Sequence, residues 1–339
     1  MKKIGILFGQ ERSFPHAFCD RINQKNIDGI IAEPLLVEEV IQNKAIDYAV
    51  IIDRISQDVP FYRAYLKNAA ATGTTVINNP FWWSADEKFF NNILAEQVGV
   101  PVPKTVLLPS KDHPDDTSAD SFSNLKFPLD WQKIVDHVGG FPVFMKPYAG
   151  GGWKSVYKIH NYEELWQAHN ETGQLVMMFQ EAIEFDSYWR VYCIGGKYVR
   201  VMPYEPRNPH HLRYDAHFDV SEEMIKTIED YTLRLNKGLG YDFNTCEFAV
   251  RDGIPYAIDF GNPAPDAEIS SVGQENFEWV VETAANYAIE KAQAQEASKM
   301  NLTWGTFMQN AVNGMMSTEG AEVVKPKTTR RKKVKKEMV

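Results

Sequence analysis

Residues 146 to 155 read KPYAGGGWKS, in which three consecutive glycines are flanked by Lys146 and by Lys154 with Ser155. Such a stretch can offer backbone N–H groups and positive charge to a phosphate. A Walker loop needs glycine directly before its lysine and a helix directly after it. Here Trp153 intervenes, and Ser155–Ile159 is rich in β-forming residues. Phe141–Lys146 also reads as a strand, so the glycines are expected to join two strands, with Lys146 ending the first. A Rossmann turn, which opens a helix, is excluded on the same ground. Taken alone, the stretch leaves two readings: a flexible hairpin that folds over a phosphate, or an ordinary glycine-rich surface hairpin.

Other groups with suitable chemistry follow in order. Glu181 and Glu184 fall at a strand end, where a bending chain can offer backbone groups to a ligand, and Arg190 comes next. Glu247 and Asp259 fall on adjacent antiparallel strands. Two carboxylates on neighbouring strands suit Mg²⁺, which prefers hard oxygen ligands and shares them with phosphate and water. Together with lysine and glycine amides they would spread positive charge over a polyphosphate, as phosphoryl transfer requires. Each group also has an ordinary explanation as a surface charge or a solvated strand position. All of those explanations holding together, in this order, is the less economical account.

Turn geometry tests the carboxylate pair. A two-residue turn at Asp252-Gly253 would pair 247 with 258 and send Asp259 to the other face. A three-residue loop, Arg251-Asp252-Gly253 with a left-handed Gly253, pairs 250 with 254 and turns both carboxylates the same way. The three-residue loop is therefore expected. The same parity puts Gly261 on that face, and Asn262 joins only if the chain bulges at Gly261.

The elements that must carry these groups can be read from periodicity. Strands Lys3–Phe8, Ile30–Val37, Tyr48–Ile52 and Thr75–Ile77 alternate with helices Pro15–Gln24 and Phe61–Thr72, which implies a small parallel α/β domain. Ser84 with Glu87 forms a capping-box pattern before a helix whose apolar stripe is Phe89, Ile93, Leu94 and Val98. Ser110–Asn124 reads as an exposed polar loop. Helix Tyr162–Asn170 and strand Val176–Phe179 follow, then strands Trp189–Ile194 and Tyr198–Met202 around Gly195-Gly196. Helix Val220–Lys237 ends before Gly238, strands Thr245–Val250 and Tyr256–Phe260 enclose Asp252-Gly253, and a last helix covers Asn276–Gln295.

The 339 residues suffice for two or three subdomains, and 44% hydrophobic with 24% charged residues is an ordinary globular balance. No apolar run approaches a membrane span, and the start lacks a signal-peptide core. Cys19, Cys193 and Cys246 are few, odd in number and scattered, which fits buried reduced thiols in a cytoplasmic protein. Net charge is −9, yet residues 325–339 carry eight Lys or Arg against one Glu, leaving −16 for the rest. So acidic a body argues against nucleic acid as the main partner. The basic end is expected to be disordered. The oligomeric state, a homodimer included, is left open.

The set of motifs, in order, resembles the ATP-grasp superfamily, in particular the RimK-like and glutathione-synthetase-like ligases, over roughly residues 1 to 295. INNPFWWSADEKFFNNILAEQVGVPVPKT resembles the segment whose lysine, here Lys88, reaches the ATP phosphates. FPVFMKPYAGGGWKSVYKI resembles the second lysine, Lys146, with its lid, Gly150, Gly151 and Gly152. QEAIE resembles the hinge whose backbone receives adenine, with Glu181, Ile183 and Glu184 in it and a glutamate near the ribose. CEFAVRDGIPYAIDFGNPAP resembles the acidic metal-binding hairpin, with Glu247, Asp259 and Asn262 as ligands. Asn262 stands one residue later than the usual acid–x–Asn, and YEPRNPHHLRYDAHFD departs from the arginine-to-glycine pattern near the substrate.

The resemblance implies a parallel α/β pre-ATP-grasp domain (1–105), a subdomain with the glycine lid (106–184), a subdomain with the metal site (185–297) and a basic tail (298–339). It implies ATP with Mg²⁺ or Mn²⁺, and a ligase joining a small-molecule or peptide carboxylate to an amine or thiol through an acyl phosphate. Arg190 would hold the transferring phosphoryl group or acyl intermediate, with Arg200, Arg207 and Arg213 as candidates for the substrate carboxylate. Two rival expectations stand beside it: a nucleotide-binding scaffold or regulator without turnover, and a small-molecule kinase on the same fold.

Overall fold

The computed structural model describes residues 1–81, 87–297 and 299. The chain begins with strand β1 (Lys2–Leu7), helix α1 (Phe14–Gln24), β2 (Ile30–Pro34), β3 (Val50–Asp53), α2 (Pro60–Ala71) and β4 (Thr75–Ile77). These four strands form a parallel sheet in the order β2-β1-β3-β4. Ile4, Ile6, Ile51 and Ile52 are fully or almost fully buried, as strands covered on both faces require. The strand expected to reach Val37 stops at Pro34, although the next N–H, of Leu35, still donates to the Ile6 carbonyl.

Helix α3 (Lys88–Gln97) follows, with Glu87 at its N-terminal boundary; the expected cap, Ser84, lies outside the described residues. Its inward face is more polar than the apolar stripe suggested. Asn91, Asn92 and Ala95 are buried whereas Ile93 is 44% exposed. Asn92 donates to the Thr105 hydroxyl at 3.1 Å, so the helix docks through this hydrogen bond as well as through Leu94 and Val98 of the expected stripe, which pack on the core under α6.

A second sheet holds β5 (Thr105–Leu108), β6 (Val143–Pro147), β7 (Tyr157–Ile159) and β8 (Met177–Glu181), antiparallel in the order β5-β8-β6-β7. Helices α4 (Trp131–His137) and α5 (Tyr162–Glu171) cover one face through Val143, Met145, Ile159 and Phe179. Lys146 alternates to the opposite face.

The third sheet, β10-β9-β11-β12, comprises β9 (Ser187–Ile194), β10 (Tyr198–Pro203), β11 (Phe243–Arg251) and β12 (Ile254–Asp259). Between β10 and β11 runs α6 (Glu222–Leu239), which packs on Trp189, Val191, Cys246 and Phe248. Ser221 caps it by accepting from the Met224 N–H, and it continues through Gly238 to a left-handed Gly240. The expected stop was therefore two residues early, because Gly238 keeps helical geometry and Gly240 supplies the positive φ.

The last helix, α7 (Ile269–Ala294), starts before the expected Asn276 and is kinked at Gly273. Its buried residues join a core shared with α1, β1 and the third sheet. Arg54, at the end of β3, lies over the rings of Phe14 and Phe243 and donates to the Pro265 carbonyl, fixing the first sheet against the third. All three cysteines are buried free thiols. Among the described residues no helix is long and apolar enough to cross a membrane.

The β9–β10 turn offers a stability test. Gly195 has φ +65°, and a Cβ there would stand 2.6 Å from the Tyr287 ring, which its hydroxyl anchors to Asp242. Gly195→Ala is expected to lose about 2 kcal/mol, from left-handed strain plus overpacking, read as a lower Tm. An unchanged Tm would show that the turn relaxes freely.

Candidate active site

The β11–β12 hairpin differs from expectation at its turn. Arg251 pairs with Ile254, so the turn is the two-residue Asp252-Gly253, both with positive φ (52° and 73°). That register alone would split the carboxylates. A β-bulge restores it: Phe248 pairs with Ala257, but Glu247 pairs with Asp259, leaving Ile258 as the extra residue. Glu247 and Asp259 are therefore direct cross-strand neighbours on one face. The register correction comes from the bulge, where a three-residue loop had been expected to supply it.

The same face of β9 carries Tyr188, Arg190 and Tyr192, opposite Ala249, Glu247 and Thr245. Arg190 is buried, its Nε 3.7 Å from Glu247 Oε1, and its guanidinium lies 5.4 Å from the centre of the Tyr204 ring. Tyr188 donates to Glu247 Oε2 at 2.7 Å. Asn262 lies beyond β12, where its N–H donates to Asn244 Oδ1 and its amide reaches the Thr245 hydroxyl at 3.4 Å. Thr245 shares the Glu247 face, so the Asn262 side chain, beyond the end of β12, reaches toward that face.

Both lysines converge here. Lys88 Nζ lies 3.1 Å from each Asp259 oxygen, and the Lys88 N–H donates to the Tyr148 carbonyl, tying α3 to the start of the glycine loop. Lys146 stands within electrostatic reach of Lys88, Asp259 and Glu247. Burial, reinforced by Lys88, lowers its pKa to about 8, against the opposing pull of Asp259 and Glu247. Burial pushes Glu247 up, opposed by Arg190. Burial acts the same way on Asp259, but Lys88 and Lys146 more than offset it and hold that carboxyl below its ordinary range. The Asp259 side chain is 47% exposed and Glu247 21%, so Asp259 fronts the open space and Glu247 backs it.

Hard oxygens from two carboxylates, with an ammonium bridging both oxygens of one of them, fit a small divalent cation that takes its remaining ligands from phosphate and water. No group of three or more His, Cys, Asp or Glu suited to a metal occurs among the described residues, so a closed protein cage is absent there.

The glycine loop joins β6 and β7 as expected. Gly150 and Gly152 have positive φ, and a Cβ at Gly150, Gly151 or Gly152 would meet nothing within 4 Å. The loop is thus an open flap whose conformation, not crowding, selects glycine. At the hinge, Glu181 accepts from Arg251 at 2.8 Å and its N–H donates to the Lys104 carbonyl, while Ile183 is buried. Glu184 is 73% exposed and pairs loosely with Lys158 at 3.4 Å.

The other arginines are engaged elsewhere. Arg207 pairs with Glu205 and lies 4.4 Å over Phe185, near the hinge, and Arg200 is held by Asn276 and Glu275. Arg213 donates to Asn208 O and to the Tyr204 hydroxyl. Sequence reading missed Tyr188, Tyr204 and Tyr214. Tyr188 was within reach of periodicity, being two residues from Arg190, but that strand was begun at Trp189. A hollow of about 370 Å³ lies on the opposite face of the sheet, lined by Ser187, His217, Asp219 and Val250, away from the phosphate and metal candidates.

No family model and no curated protein sequence matches this chain. Solved structures do. The ATP-grasp ligase PsnB, complexed with a minimal precursor, Mg and ADP, is 15% identical with a TM-score of 0.56, over 86% of this chain and 98% of that one. D-alanine–D-alanine ligase from Bacillus anthracis, complexed with ATP, is 16% identical with a TM-score of 0.56, over 86% and 97%. A RimK domain ATP-grasp protein from Sphaerobacter thermophilus is 12% identical with a TM-score of 0.58, over 85% and 99%. The chain therefore has the ATP-grasp fold.

Proposed function

We propose that this protein is an ATP- and Mg²⁺-dependent ligase that activates a carboxylate as its acyl phosphate for attack by an amine or thiol. The observation that carries the reading is the convergence of Lys88, Lys146, Glu247, Asp259 and Arg190 on one face beside a glycine flap. The fold shared with ATP-dependent ligases supports it, although fold alone does not fix chemistry.

In this reading Lys88 and Lys146 hold phosphate oxygens, and Gly150–Gly152 close over them. Glu247, Asp259 and Asn262 hold a Mg²⁺ or Mn²⁺ ion, which when bound neutralises charge on the polyphosphate. The hinge at Glu181, Ile183 and Glu184 receives the nucleoside. A substrate carboxylate oxygen attacks the γ-phosphorus, the bond to the β–γ bridging oxygen breaks, and ADP leaves. The amine or thiol then attacks the acyl carbon, phosphate departs with the C–O bond pair, and the nucleophile loses its proton. Arg190 faces the charge that develops at the transferring group.

The PsnB complexes contain a precursor peptide, and the D-alanine ligase is named for joining amino acids, so peptides and amino acids head the substrate panel. The test is ADP release with Mg-ATP across such a panel, with and without hydroxylamine. Release that rises with one carboxylate, and a hydroxamate formed in its presence, is the expected result. Release never exceeding the substrate-free rate would overturn the ligase reading in favour of a binding scaffold. Substrate-dependent release with a stable phosphate ester and no hydroxamate would make it a kinase.

A further inference from the structure

Two buried polar atoms near each other lack any hydrogen bond among the described residues: Arg190 Nε, beside Glu247, and the Tyr214 hydroxyl. A buried guanidinium edge and a buried phenol without hydrogen bonds are costly unless an acceptor common to both is bound in the working state. They pack against one ring and stand within electrostatic reach of each other. Arg190 lies 5.4 Å from the centre of the Tyr204 ring, and Tyr214 packs edge-on against the same ring at 5.0 Å. The arrangement is braced. Arg213 donates to the Tyr204 hydroxyl at 3.3 Å, and the Glu205 N–H donates to the Arg213 carbonyl at 2.7 Å, closing the loop that carries Tyr214 over the sheet. This is the segment, residues 204–219, whose sequence departs from the family pattern.

We propose that Arg190 Nε and the Tyr214 hydroxyl together bind the anionic group of the acyl phosphate, which makes Tyr214 a substrate-binding residue of the site. A cation and a phenol O–H are both donors, so their common partner is an acceptor-rich anion. Glu247, 3.7 Å from Nε, already stands on the metal side, and Tyr214 is the other group that faces the guanidinium. The wall of Tyr188 and Tyr204 keeps water from a mixed anhydride that hydrolysis would waste.

The inference rests on the ligase reading, and the experiment separates the two. Titration calorimetry on the full chain would measure Mg-ADP binding first. It would then measure 2-oxopropylphosphonate, an acetyl phosphate mimic with CH₂ in place of the bridging oxygen, in saturating Mg-ADP. Tyr214→Phe removes one oxygen and keeps the ring. It is expected to weaken phosphonate binding about 10- to 100-fold, the loss of one hydrogen bond to a charged group, with Mg-ADP affinity unchanged. Arg190→Lys, which keeps the charge and removes Nε, is expected to lose a similar increment, and decides the question should Tyr214→Phe fail to fold. Equal phosphonate affinity in wild type and variant would overturn the assignment of Tyr214. Wild type that binds Mg-ADP but no phosphonate would overturn the anion site and leave the nucleotide reading standing. Absence of Mg-ADP binding would remove the ligase reading itself.

Discussion

Replacing Asp259 by asparagine is expected to lower carboxylate-dependent ADP release by at least about 100-fold, the scale of losing one preorganised charge partner of a transferring phosphoryl group. Asp259 is the more exposed carboxylate of the pair and the one that Lys88 grips through both oxygens, so it stands where protein, cation and phosphate would meet. The change keeps shape and removes charge. Nucleotide affinity should stop responding to Mg²⁺, because an amide oxygen replaces a charged ligand. Calorimetric titration of ADP with and without Mg²⁺ would read this directly. A variant whose ADP affinity is still strengthened by Mg²⁺ as in wild type would remove Asp259 from the metal site.

Lys146→Met is expected to trade binding against stability. Lys146 ordinarily titrates near 10.5, and burial together with Lys88 brings it down to about 8, so its charge is disfavoured in the folded state. At pH 7 it is protonated both folded and unfolded, and the charge then counts against folding by on the order of 2–3 kcal/mol. Between about pH 8 and 10.5 the unfolded chain binds more protons than the folded one, so this penalty fades as pH rises through that window. Methionine conserves volume and carries no charge. The ligand-free variant should therefore melt a few degrees above wild type at pH 7, with the advantage shrinking by pH 10. Its ATP affinity should fall about 10- to 100-fold, because a charged donor to phosphate is lost. A variant that melts below wild type at pH 7 would mean that Asp259 and Glu247 depend on the lysine more than burial penalises it.

Much of the site could be read in the chain because the relevant physics is local. Lys146 at the end of a strand, the glycines after it, the hinge glutamates and the two carboxylates on neighbouring strands all follow from period-two alternation and turn residues. The ATP-grasp fold was legible in another way, as the resemblance of these motifs, taken in order, to that superfamily; alternation and turn residues supplied only the elements that carry them.

Tertiary structure decided what depends on partners distant in sequence. The hairpin shows the division most clearly. Local turn rules pointed to a three-residue loop; the two-residue turn that forms at Asp252-Gly253 would, with an unbroken ladder, have placed Glu247 and Asp259 on opposite faces. The bulge at Ile258 reverses that. Nothing in Tyr256–Phe260 marks it, because a bulge reflects how β12 settles against β11 under the demands of both faces. The polar part of the inward face of α3 was likewise beyond periodicity, which found Leu94 and Val98 but not Asn92, whose amide meets the Thr105 hydroxyl. So was the Arg190–Tyr204–Tyr214 stack, in which a loop of irregular sequence returns over the sheet. Residue types and their alternation determined which chemistry the chain could carry. Packing between sheets determined which of those groups meet, because burial and charge are set by neighbours that no window of sequence contains.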